Sequence, residues 1–103
     1  MSNGLLAKAV SVSGTYVEIY QVPNNLDFMT VNLNILNTAG TDADVEVHVS
    51  LSSSPVLVDS LDLATLGSKE VLERNCIILS PGERVFFKSS NSATVARLSG
   101  LSQ

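Results

Sequence analysis

The feature that most restricts what this chain can become is the run Asp44-Val45-Glu46-Val47-His48-Val49-Ser50-Leu51, in which four apolar side chains alternate strictly with four polar ones. A period of two places the apolar set on one face of a strand, whereas a helix needs a period near 3.6. The segment therefore predicts a strand with one buried face. Just upstream, Met29, Val31, Leu33 and Ile35 alternate with Thr30, Asn32, Asn34 and Leu36 in the same way. The six residues between the two runs, Asn37-Thr38-Ala39-Gly40-Thr41-Asp42, are rich in turn formers, and the pair reads as a β-hairpin.

The pattern recurs along the chain. Leu5–Ser13 and Thr15–Val22 carry β-branched and aromatic residues, part at Gly14 and end at Pro23-Asn24-Asn25. Val71–Leu79 and Arg84–Ser89 flank Ser80-Pro81-Gly82-Glu83, whose Pro and Gly sit where a type II turn requires them, and Thr94–Ser99 supplies a last strand. Val56–Leu66 is ambiguous between a helical stripe, through Leu57, Leu61 and Ala64, and a short edge strand after Pro55. Seven or eight strands in 103 residues predict one all-β domain over residues 1–103, an antiparallel β-sandwich of immunoglobulin-like or jelly-roll type.

Composition narrows the function classes. Only 16% of residues are charged against 45% apolar, so much of the surface is uncharged. With a net charge of −4 there is no overall positive field for a phosphate backbone or an anionic membrane, and neither nucleic acid nor membrane is expected as a partner. Charge is uneven: residues 1–66 hold seven acids and one base, residues 67–103 three acids and five bases, a distribution that could steer copies of the chain into a head-to-tail contact, although ordinary solvated faces account for it more simply. No run reaches the roughly 18 apolar residues of a membrane-spanning helix, and the N-terminal sequence does not read as a signal peptide. Cys76 is the single cysteine, so the fold must hold without an internal disulfide, and its expected place is in the core.

Candidate chemistry is sparse. His48 is the one histidine and shares the polar strand face with Asp44, Glu46 and Ser50 rather than a nucleophile, so no catalytic set is assigned and no enzyme activity is expected. Asp42, Asp44 and Glu46 offer oxygen ligands, but alternate strand residues lie about 7 Å apart, too far for one ion, and no metal or cofactor is expected. Asp59 and Asp62 read as structural acids, and no glycine-rich phosphate loop is present.

One signal stands out. In Cys76-Ile77-Ile78-Leu79 and in Val85-Phe86-Phe87 adjacent residues are apolar, so one member of each pair, Ile77 or Ile78 and Phe86 or Phe87, should lie outside a one-sided core. Thr30, Asn32 and Asn34 mark a second uncharged face. These seven residues are the candidate interface. The cover over it is either another protein chain or the Val56–Leu66 segment of the same chain.

The strand and turn sequences also carry a resemblance. Tyr20-Gln21-Val22-Pro23, Val31-Asn32-Leu33-Asn34-Ile35-Leu36-Asn37, Val71-Leu72-Glu73-Arg74 and Ile78-Leu79-Ser80-Pro81-Gly82-Glu83-Arg84-Val85 resemble a small β-sandwich module of tailed-bacteriophage virions, those of cyanophages included. The closing Val95-Ala96-Arg97-Leu98-Ser99-Gly100 is similar to that module's Val-x-Arg-Val-x-Gly, with Ser99 in place of an aromatic residue, and Asn75-Cys76 stands where Thr-Gly is commoner. The resemblance implies a structural or accessory subunit, a capsid decoration or a neck, tail or fibre component. Such a subunit is made in the host cytoplasm, resides in the virion, forms a homo-oligomer and contacts other virion proteins. The alternative, a carbohydrate- or receptor-binding module, fits poorly with a chain that has no Trp and only Tyr16 and Tyr20 to stack on a sugar ring.

Overall fold

A computed structural model describes residues 2–25, 29–51 and 59–102. Eight strands follow one another: β1 (Ser2–Val10), β2 (Val17–Gln21), β3 (Met29–Asn37), β4 (Ala43–Ser50), β5 (Asp59–Leu66), β6 (Val71–Leu79), β7 (Arg84–Ser89) and β8 (Thr94–Ser102). There is no helix among the described residues. The strands form two antiparallel four-stranded sheets, ordered β1-β8-β3-β6 and β2-β7-β4-β5. This is the connectivity of a jelly roll, in which successive strands mostly switch sheets. The ambiguity over 56–66 resolves from Asp59 onward into strand β5 at the edge of the second sheet, while Val56, Leu57 and Val58 lie outside the described residues.

The two expected hairpin partners do not pair. β3 lies in the first sheet, between β8 and β6, and β4 in the second, between β7 and β5. Their inner residues, Met29, Val31, Leu33 and Ile35 on one side and Val45 and Val47 on the other, are buried in the same core. A hairpin and a crossing between sheets satisfy the same alternation, and here the connection crosses. Its anchor is Asn37, fully buried, whose side-chain Nδ2 donates to the carbonyls of Thr41 (2.8 Å), Leu66 (3.0 Å) and Gly67 (3.2 Å). Its Oδ1 accepts from the Ala39 N–H and from Asn91 Nδ2.

Four crossings, 11–16, 38–42, 67–70 and 90–93, meet at this end of the sandwich. Ser11 Oγ donates to the Asn91 carbonyl and accepts from the Thr94 N–H. Thr94 Oγ1 donates to Asn91 Oδ1, and Ser89 Oγ lies 2.8 Å from Thr94 Oγ1. Ser11, Asn37, Ser89 and Thr94 are all buried, so short polar side chains satisfy the backbone groups that a buried strand-to-strand crossing would otherwise orphan.

The type II turn forms as expected: the Glu83 N–H donates to the Ser80 carbonyl and Gly82 has φ +82°, a conformation that favours glycine. Gly100 is required for a different reason. A Cβ there would strike the Thr30 carbonyl oxygen and come within 3.0 Å of Val31 Cα, so β8 and β3 can pair at this point only without a side chain.

Cys76 is exposed, not in the core. On the edge strand β6 two residues, Asn75 and Cys76, stand opposite the single Asn32 of β3, so the ladder bulges there. Cys76 takes φ +58°, and its N–H donates to Asn32 Oδ1 at 2.9 Å. Left-handed backbone costs a non-glycine residue roughly 1–2 kcal/mol.

Candidate functional site

The seven interface candidates separate. Phe87 is fully buried in the core, and Ile77 also points inward. Phe86 lies on the outer face of the second sheet yet is only 4% exposed. It occupies the inner strand β7, opposite Glu18 of β2 and His48 of β4, with Arg84 and Lys88 two residues away along its own strand. Long side chains on every side shield it from water. Phe86 is thus the phenylalanine that points away from the core, but it is covered and not exposed for contact, and Phe87 points inward. Ile78, 70% exposed, is the outward apolar side chain, and it stands directly opposite Thr30 on the outer face of the first sheet.

That outer face gathers Ile78, Thr30, Asn32 and Asn34. Strand register arranges it in transverse rows. At the end nearest the crossings, Val10 pairs Val95, Val95 pairs Leu36, and Leu36 pairs Val71, an apolar row over all four strands. Val10 and Val71 are more than half exposed. The next row reads Lys8, Arg97, Asn34, Glu73. Lys8 and Arg97 are thus like charges directly opposite each other, an unfavourable arrangement, and neither forms an ion pair with a described residue. A depression beside this row is lined by Leu5, Asn34, Arg97 and Ser99. The described part of Val56–Leu66 is an edge strand of the other sheet, so Asp59–Leu66 does not cover this surface.

Sequence reasoning missed Val10, Val95, Val71, Lys8, Arg97 and Glu73. Each alternates correctly within its strand, but only the inter-strand register aligns them into rows.

The outer face of the second sheet is different in kind. His48 Nε2 donates to Glu46 Oε1 at 3.1 Å, and Lys88 Nζ lies 3.5 Å from Glu46 Oε2. The Tyr16 ring meets the His48 ring edge-on at 5.3 Å between centroids and carries Lys88 Nζ 4.9 Å from its own centroid. Glu18 accepts from Arg84 at 3.0 Å. Hydrogen bonding to His48, and then the Lys88 charge, hold the Glu46 carboxyl below the usual glutamate value of 4.5, with desolvation opposing. His48 Nδ1 is buried with no partner among the described residues. His48 and Cys76 lie in opposite sheets, and no group of three metal-ligating side chains occurs among the described residues.

A depressed carboxyl stabilises the fold above its unfolded value, and this contribution is lost as pH falls through the folded value. Unfolding curves from pH 6 to pH 2.5 should therefore show the wild type losing more stability below about pH 4.5 than Glu46→Gln does. The expected difference is on the order of 0.5 kcal/mol, the scale of surface ion pairs. Parallel curves would mean the cluster contributes nothing.

Comparison with known proteins gives no relative: no family model matches the chain, and no curated protein matches its sequence.

Proposed function

We propose that this chain is a structural subunit of a tailed-phage virion, a capsid decoration or a neck, tail or fibre component, that works through protein–protein contact. The observation that carries the reading is the outer face of β1-β8-β3-β6, where Leu5, Val10, Val71 and Ile78 are each at least half exposed on one sheet. Free solvation does not favour so many exposed apolar side chains on one sheet. Jelly rolls serve in viral capsids and in lectins alike, so the architecture permits the reading without requiring it. The sequence resemblance supplies the virion context. Sugar binding is less well served, because Tyr16 is engaged by His48 and Lys88 and Tyr20 packs against the core.

The test is incorporation. Ile78 is exposed on an edge strand, so Ile78→Asp should change stability by no more than about 0.5 kcal/mol and leave the domain folded. Phage grown with this variant should carry at least tenfold less of the protein in purified particles than wild type, measured by quantitative mass spectrometry. Absence of the wild-type chain from particles, or normal packaging of the folded variant, would refute the reading.

A further inference from the structure

We infer that the outer face of β1-β8-β3-β6 is a self-complementary surface that receives a second copy of this chain, face to face, about a twofold axis parallel to the strands and between β8 and β3. Such an axis keeps every transverse row on itself and reverses its order. In the apolar row Val10 then meets the partner's Val71, and Val95 meets the partner's Leu36. In the charged row Lys8 meets the partner's Glu73, and Arg97 meets the partner's Asn34.

The row order makes this fit specific. Both cations of the second row stand toward the β1 edge and its anion at the β6 edge. Reversal therefore sets Lys8 against the partner's Glu73, which also lies one strand spacing from Arg97; the two copies' Arg97 residues face each other across the axis at the same spacing, so the charge complementarity rests on Glu73. A twofold contact must be self-complementary in this sense. The area is sufficient: four strands spaced about 4.8 Å and nine residues rising about 3.3 Å each give a face near 600 Å² per copy. Two such faces reach the roughly 1,000 Å² expected of a specific interface, and aligned face-to-face packing is a standard way for sheets to meet.

The inference deepens the protein-contact reading by naming one partner, and its test stands apart from particle incorporation. Sedimentation equilibrium of the pure chain should give twice the chain mass, with a dissociation constant raised at least tenfold by Glu73→Lys and by Val71→Asp. The double variant Lys8→Glu/Glu73→Lys should return toward the wild-type value, since it exchanges the charges without removing the pair. Far-UV circular dichroism verifies that each variant is folded. A zero-length carbodiimide cross-link in an equal mixture of ¹⁵N-labelled and unlabelled chains should yield Lys8–Glu73 peptides of mixed label. Within one chain these residues sit on opposite edge strands, about 14 Å apart. A monomer at millimolar concentration, a dimer insensitive to Glu73→Lys, or cross-links of unmixed label alone would overturn the inference. A chain that dimerises through this face but is missing from particles would keep the inference and remove the virion reading.

Discussion

Asn37→Ala is expected to lower the unfolding free energy by about 3 kcal/mol or more, a drop of at least 12 °C in midpoint for a domain of this size. Asn37 is fully buried, and its side chain links three of the four crossings: 38–42 through Thr41 and Ala39, 67–70 through Gly67, and 90–93 through Asn91. Alanine leaves the Leu66 and Gly67 carbonyls and the Asn91 amide without this partner where water has little access. Each orphaned buried group costs roughly 1–3 kcal/mol. Asn37→Asp discriminates the cause. It keeps the oxygen that accepts from Ala39 and Asn91 but turns a donor into a carboxylate facing three carbonyls, so it should be at least as harmful as alanine. Thermal denaturation of both variants checks this, and an Asn37→Asp protein as stable as wild type would show that the network does not hold the crossings.

Phe87→Ala should cost about 4 kcal/mol, a large part of the 5–15 kcal/mol that a domain of this kind possesses. Phe87 is fully buried in the core cluster, on the inner strand β7 between β2 and β4. Truncation removes its packing and leaves a cavity that the rigid sheets can close only in part. Phe86→Ala tests the other face. It should cost less, because Phe86 is shielded by side chains on a sheet surface rather than by a second sheet. Denaturant titration of the pair gives the comparison, and equal losses would mean that the outer face of the second sheet is packed as tightly as the core. Neither phenylalanine is then a suitable position for an interface substitution, since a charge at either acts on folding before it acts on contact.

Local sequence determined much of this molecule. The alternation at 29–36 and 44–49 decided both that these segments are strands and which of their side chains turn inward, because side-chain direction follows from the pleat of a single strand. At the end of the second run it fails, for Ser50 is buried and Leu51, beyond the end of β4, is 71% exposed. Pro81 and Gly82 decided the turn between β6 and β7 through their own backbone preferences. Paired apolar residues at 77–78 and 86–87 correctly announced that one of each pair points away from the core.

What alternation encodes is a face, not a neighbour, and the rest was settled by non-local pairing. β3 and β4 satisfy their pattern equally well in one sheet or in opposing sheets, and at the crossing that does form stands a buried asparagine whose partners lie up to 54 residues away. Whether an outward apolar residue meets water likewise depends on strand position. On the edge strand β6 nothing described flanks Ile78 beyond β3, whereas on the inner strand β7 both neighbouring strands supply long side chains that shield Phe86. The rows of the proposed contact face exist only through the register of four strands that are far apart in the chain, so no single segment could have displayed them.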